Sequence, residues 1–378
     1  DLGGDFRPPS TNNLRMTDDP RERAEQRTLL MPRAGHGLDL APGQRRQEFL
    51  IERTLGVGGY SIVYLAHDTR LDRLVALKEY MPTMLAVRET TGLVTPQLPR
   101  FEPLFDKGLV GFMNEAKLLG SFDHPGLVKV HRFWAEAGTA YMAMPYYEGT
   151  TLKRWLADLG VRPAEPWLRE LATQLMQSLQ VLHTARCVHR NVSPDNVLML
   201  AGSEPSPRPV LLDFSAARRV IGDATQTLTA ILKSGYSPVE QYEAEHTGRQ
   251  GPWTDVYSLA ALLYTAVVGR SPGSSIARLM QDDLEPARVA ARGQYSDAFL
   301  AAIDAGLTVR PEMRPQNLRA FAQLLEATVA PPLAGPQRAA AALPAKPALS
   351  PAMGMAAAGL AAVAVVLGVA AVAWALVR

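Results

Sequence analysis

Leu55-Gly56-Val57-Gly58-Gly59-Tyr60-Ser61-Ile62-Val63-Tyr64, with Val75-Ala76-Leu77-Lys78 soon after it, sets a glycine-rich turn between two β-patterned runs and then places a lysine inside an apolar strand. Glycines let backbone N–H groups approach phosphate oxygens where a Cβ would collide. On its own such a turn fits a tight hairpin equally well. The lysine sharpens the reading, because an ammonium in an apolar run needs a buried anionic partner. An edge-strand lysine that discourages aggregation carries the same signature. Farther on, Phe112-Met113-Asn114-Glu115-Ala116-Lys117-Leu118-Leu119 has a helical pattern with Glu115 on or beside its apolar stripe. That carboxylate reads either as a surface residue paired with a nearby lysine or as the anion that holds Lys78.

Around this stretch, FLIERTLGV, SIVYLAHD, LVALKEY, LVKVHRFWAE and TAYMAMPY are short β-rich runs. EPWLRELATQLMQSLQVLHTA follows, with Leu168, Leu171, Leu175, Leu179 and Leu182 at helical spacing. Strands first and helices second imply a two-lobed α+β domain with a cleft between the lobes. Its expected extent is 45–328, with an N-lobe of about 45–147 and a C-lobe of about 148–328. Residues 1–44 are rich in Gly, Pro, Arg and Asp without a sustained apolar period, and read as a flexible tail. The segment 329–352 is a Pro/Ala-rich linker, with prolines at 331, 332, 336, 344, 347 and 351.

Residues 353–377 run 25 positions without a charge. At about 1.5 Å per residue, a helix of that length crosses a hydrocarbon core of about 30 Å. The expectation is a single transmembrane helix anchoring the chain in the cytoplasmic (inner) membrane. Arg338 and Lys346 favour the domain lying on the cytoplasmic side. A buried soluble helix is the competing reading.

Composition removes other classes. Across 378 residues, 39 Lys+Arg against 37 Asp+Glu leave a net charge of +2, with no basic run, so a nucleic-acid partner is not expected. The single cysteine, Cys187, rules out an intrachain disulfide and a cysteine-based zinc site. His36, His67, His124, His131, His183 and His246 show no metal-ligand spacing.

The ordered set of motifs resembles the eukaryotic-type Ser/Thr protein kinase family, and its bacterial members in particular: G-x-G-G-Y-S-x-V, V-A-L-K, a helix bearing Glu115, His189-Arg190-Asn191-Val192-Ser193-Pro194-Asp195-Asn196, Asp213-Phe214-Ser215 and a downstream E-Q-Y. The resemblance implies a bilobal kinase-like fold with ATP and Mg²⁺ bound between the lobes. Gly56, Gly58 and Gly59 would cover the phosphates, with Ser61 where the family has a third glycine. Lys78 would contact the α/β-phosphates and Glu115 would hold it. Val63, Ala76, Met144, Pro145 and Tyr147 would surround the adenine, and Asn196 and Asp213 would bind magnesium. The long spacing between Lys78 and Glu115 implies an insertion around 83–108 that would offer a partner surface.

The resemblance also locates a departure. Asn191 stands at the position of the catalytic aspartate, and Ser193 at that of the lysine that steadies the transferred phosphate. An amide oxygen accepts a hydrogen bond but is a far weaker base than a carboxylate. The expectation is a pseudokinase that binds MgATP, loses most phosphotransfer, and regulates or scaffolds a signalling partner. An active Ser/Thr kinase and a nucleotide-free adaptor are the alternatives. Glu240 and Arg314 would form a buried pair, Asp255 would hold the catalytic-loop backbone, and Leu119, His189 and Phe214 would stack as an apolar spine.

Overall fold

The computed structural model describes residues 37–202, 206–214, 218–219, 233–242 and 250–325. Its N-lobe is a six-stranded antiparallel sheet in the order β1-β2-β3-β4-β8-β7. The strands are β1 (Arg45–Arg46), β2 (Phe49–Val57), β3 (Ser61–Asp68), β4 (Arg73–Tyr80), β7 (Arg132–Glu136) and β8 (Thr139–Pro145). The expected runs FLIERTLGV and SIVYLAHD coincide with β2 and β3. Strand β8 is buried over six consecutive residues because both of its faces are covered.

Between β4 and β7 the chain forms a two-stranded hairpin, β5 (Ala86–Arg88) with β6 (Val94–Pro96), and then helix α1 (Glu102–Leu119). This is the insertion expected at 83–108, and it is built into the lobe. Arg88 reaches back under the sheet to Glu79, with Nη2 to Oε2 at 2.6 Å. The hydroxyls of Tyr64 and Tyr141 also donate to Glu79, at 2.7 and 2.6 Å. Period-two alternation along β4 puts Glu79 on the face opposite Lys78. Helix α1 begins ten residues before the apolar stripe that announced it, with Pro103 in its first turn. It lies close against β4, since a Cβ on Gly108 would fall 2.1 Å from the Tyr80 hydroxyl.

The segment 37–44, assigned to a flexible tail from its composition, is packed onto the sheet. Leu40 is 1% exposed, and its N–H donates to the Tyr64 hydroxyl at 3.1 Å. Arg88 Nε donates to the Leu38 carbonyl at 2.7 Å. Leu38 and Leu40, in a stretch too short to show a sustained period, bury enough surface to dock the strand entrance.

The C-lobe is helical around α4 (Pro252–Val268), whose residues are buried nearly all round. It also holds α2 (Leu152–Leu159), α3 (Glu165–Thr184), α5 (Ser275–Met280), α6 (Ala287–Ala290), α7 (Asp297–Gly306) and α8 (Leu318–Leu324). The five leucines read as a stripe on α3 are all fully buried. A small sheet of β9 (Gly149–Thr151), β11 (Val197–Leu200) and β12 (Pro209–Leu211) faces the N-lobe, and β10 (Cys187–Val188) pairs with β13 (Arg218–Arg219).

Among the described residues no helix is long and apolar enough to cross a membrane. The expected span at 353–377, the linker at 329–352, most of the N-terminal tail and Ser215 lie outside the described residues.

Candidate functional site

The cleft brings together residues far apart in sequence. Strand β4 carries Lys78 and α1 carries Glu115. The loop between β10 and β11 carries Asn191, Ser193 and Asn196, and Asp213 follows β12. Lys78 Nζ donates to Glu115 Oε1 at 2.9 Å and to Asp213 Oδ1 at 3.2 Å. Burial works against this ammonium, but the two carboxylates outweigh it and raise its pKa above the ordinary lysine value. Burial pushes the Glu115 carboxyl up, an effect the Lys78 charge only partly offsets.

On the opposite wall, Asn191 Nδ2 donates to Asp213 Oδ2 at 2.9 Å. An ionised carboxylate only accepts, so the amide must turn its NH₂ side to Asp213. Asn196 Nδ2 donates to the Asn191 carbonyl at 2.8 Å, which leaves its amide oxygen turned the other way. Arg190 and Asp213 adopt left-handed φ values of 68° and 57°. Non-glycine residues held there cost about 1–3 kcal/mol each and persist where surroundings fix them.

Those surroundings are rigid. Fully buried Asp255, on α4, accepts from the backbone N–H of His189 at 2.9 Å and of Arg190 at 2.8 Å, and pairs with His183 Nε2 at 2.8 Å. Burial alone would raise its pKa, but the His183 hydrogen bond and the neighbouring charges hold it below the usual aspartate value. Phe214 packs against His189 with ring centroids 4.6 Å apart and planes tilted by 59°, and Leu119 is likewise buried. Arg314 holds Glu240 through two bonds of 2.7 and 2.9 Å. It also donates to the carbonyls of Thr308, Val309 and Trp253.

The glycine-rich turn joins β2 to β3, with Gly58 N–H donating to the Ser61 carbonyl at 2.8 Å. A Cβ added at Gly59 would meet no heavy atom within 4 Å, so packing within the chain does not demand glycine there. Val63 pairs in register with Lys78, Ala76 with Met144, and Val75 with Pro145. Met144 is buried, and Tyr147 lies half-buried just beyond β8.

Two features carried no signal in the sequence reading. One is the Glu79–Arg88 pair on the far face of the sheet. The other is Lys233, whose Nζ donates to Ser193 Oγ at 2.9 Å and to Asn196 Oδ1 at 3.4 Å. Its pKa is lowered by burial, an effect that Asp195 and Asp213 only partly offset. Asp195 itself is shared, lying 3.1 Å from Lys153 and 3.6 Å from Lys233. No group of three or more His, Cys, Asp or Glu gathers to hold a metal among the described residues. The two residues expected to bind magnesium, Asp213 with a carboxylate and Asn196 with an amide, both hydrogen-bond to Asn191.

The protein kinase domain family matches residues 49–325. Serine/threonine-protein kinase PknB of Mycobacterium leprae is 30% identical over 58% of this chain and 32% of its own length. Serine/threonine-protein kinase pkn3 of Myxococcus xanthus is 25% identical over 74% of this chain and 50% of its own. The chain therefore spans about a third to a half of the length of these curated relatives. Among solved structures, the apo form of PpkA-294 is 40% identical with a TM-score of 0.67, covering 76% of this chain and 99% of that one. The kinase domain of Mycobacterium tuberculosis PknI, 22% identical with a TM-score of 0.54, shares the fold.

Proposed function

This chain belongs to the protein kinase family, and on that premise we propose that it binds MgATP between its lobes and acts as a pseudokinase that regulates or scaffolds a signalling partner. The observation that carries the reading is the Asn191 amide, which stands at the catalytic position and spends its NH₂ group on Asp213. Its remaining oxygen accepts a hydrogen bond from an incoming hydroxyl but is too weakly basic to take the proton. Loss of general-base help lowers a transfer rate by about 10²–10⁴-fold.

The residues present fit the nucleotide and its metal. The Asp213 carboxylate and the Asn196 amide oxygen are hard donors suited to Mg²⁺, and the space over Gly59 admits a close backbone approach. Lys78, kept protonated by its two carboxylates, is the cation for the α/β-phosphates, and Glu115 fixes its direction. When bound, Mg²⁺ would neutralise charge on the phosphate oxygens.

A second reading, an active Ser/Thr kinase, is favoured by the intact Lys78, Glu115, Asn196 and Asp213 and by the ammonium beside Ser193. Phosphorylation of a generic Ser/Thr substrate by wild type, Asn191→Asp and Lys78→Met separates the two. The pseudokinase reading expects wild type at the Lys78→Met background and a gain in Asn191→Asp. Wild type as fast as Asn191→Asp, with Lys78→Met dead, establishes the kinase instead. A melting-temperature rise with MgATP is expected in either case by mass action. Its absence at millimolar MgATP would favour the nucleotide-free adaptor.

Anchoring in the cytoplasmic membrane through 353–377 is part of the same proposal and is supported by the uncharged run alone. Full-length chain should sediment with membranes and a chain ending at residue 352 should not. Equal partition of the two would overturn the anchor.

A further inference from the structure

The turn that carries Lys233 is built to hold it in place. Its carbonyl accepts the N–H groups of Tyr236 at 2.9 Å and Ser237 at 3.0 Å, and its own N–H donates to Ser237 Oγ at 3.0 Å. Gly235 sits at φ +89°, where side chains are strained, and a Cβ there would come within 2.9 Å of Ser271 Oγ. The turn is pinned to the C-lobe core. Ser258 Oγ donates to the Tyr236 carbonyl at 2.9 Å, Ser275 Oγ donates to the Ser237 carbonyl at 2.7 Å, and the Tyr236 hydroxyl lies 3.0 Å from Thr265 Oγ1. None of these bonds involves the ammonium, so the turn does not need the ammonium in order to form.

Where the ammonium ends is specific. Its nearest partner is Ser193 Oγ, the position at which the catalytic loop lacks a lysine, and its next is Asn196 Oδ1, an expected metal ligand. Both acceptors are neutral. The carboxylate within ion-pair reach, Asp195 at 3.6 Å, is already shared with Lys153. A partly buried cation whose closest contacts are neutral oxygens remains available to a stronger anion.

We propose that Lys233, reaching in from the turn at 233–237, is a phosphate-binding residue that grips the terminal phosphate of ATP in place of the lysine missing at position 193. The proposal rests on the reading that the cleft binds MgATP.

The test is the affinity of the full chain for MgATP and for MgADP, measured by calorimetry in wild type, Lys233→Met and Lys233→Arg. One charge-assisted hydrogen bond to the terminal phosphate corresponds to about a 10–100-fold difference in affinity. Wild type should therefore prefer MgATP over MgADP. Lys233→Met should lose about that factor for MgATP while its MgADP affinity stays within about twofold, and Lys233→Arg should recover most of it. The exchange variant Ser193→Lys/Lys233→Ser returns the charge from the other side and should restore the preference even if Lys233→Met folds poorly. Equal weakening of both nucleotides in Lys233→Met would assign the residue a structural role and overturn the proposal, as would an unchanged preference. Wild type that binds neither nucleotide removes the MgATP reading itself, a result distinct from both.

Discussion

On the N-lobe wall of the cleft, Lys78 is paired with Glu115 and reaches across to Asp213 of the C-lobe, both within hydrogen-bond distance. On the C-lobe wall, Asn191 and Ser193 offer an amide and a hydroxyl, and the cation beside them, Lys233, comes from a turn 40 residues after Ser193. The two walls answer to different demands. Holding a polyanion requires cations fixed in direction, which the first wall provides. Moving a proton off an alcohol requires a base of suitable strength, and in the proposed reading the Asn191 amide on the second wall is too weak a one.

Removing the cation from the charged wall should have the largest effect. Lys78→Met leaves Glu115, almost fully buried, without its counter-charge, and breaking such a pair from one side costs about 3–5 kcal/mol. Urea unfolding should show that loss, and the MgATP-induced rise in melting temperature should vanish. A variant as stable as wild type would mean that the N-lobe wall does not depend on its charges.

Asn191→Asp makes the second wall resemble the first, and is expected to reveal what the amide does. A carboxylate at 191 would face Asp213 where a 2.9 Å hydrogen bond now lies. Without Mg²⁺ the variant should lose about 1–3 kcal/mol of stability. With Mg²⁺ much of that deficit should disappear, so the metal-induced stabilisation exceeds that of wild type. Identical Mg²⁺ responses in the two proteins would show that residue 191 has no influence on metal binding through Asp213.

Two glycines give the smallest and cleanest contrast. Gly108→Ala forces a Cβ against the Tyr80 hydroxyl, and should cost about 1–3 kcal/mol through overpacking between α1 and β4. Gly59→Ala meets nothing in the protein, so it should leave stability within about 0.5 kcal/mol while weakening MgATP binding several-fold. An unchanged affinity would remove the turn from the nucleotide site.

The charged wall was legible in the sequence for a physical reason. A lysine within V-A-L-K cannot be buried unpaired, and the helix bearing Glu115 was the carboxylate source its pattern offered. The strands β2 and β3 were equally legible through alternation and their intervening glycines. The Glu79–Arg88 pair was not, because Glu79 reads as the polar neighbour of Lys78 and its partner comes from an insertion whose docking no local pattern encodes. Lys233 was hidden for a related reason. Its proximity to Ser193 depends on a left-handed turn at Gly235 and on hydroxyls of α4 and α5, contacts that exist only after the C-lobe has formed. Leu40 was missed because two leucines, Leu38 and Leu40, are too few to establish a period.

Asp213 has one oxygen in the grip of Lys78 from the upper lobe and the other in that of Asn191 from the lower. Asn191 and Asp213 both belong to the lower lobe, so the carboxylate rivets the two lobes through its bond to Lys78, and any widening of the gap must shear that bond. The ease with which this protein gapes is therefore set by competition for a single acid group, and whatever claims that group for itself also loosens the jaw.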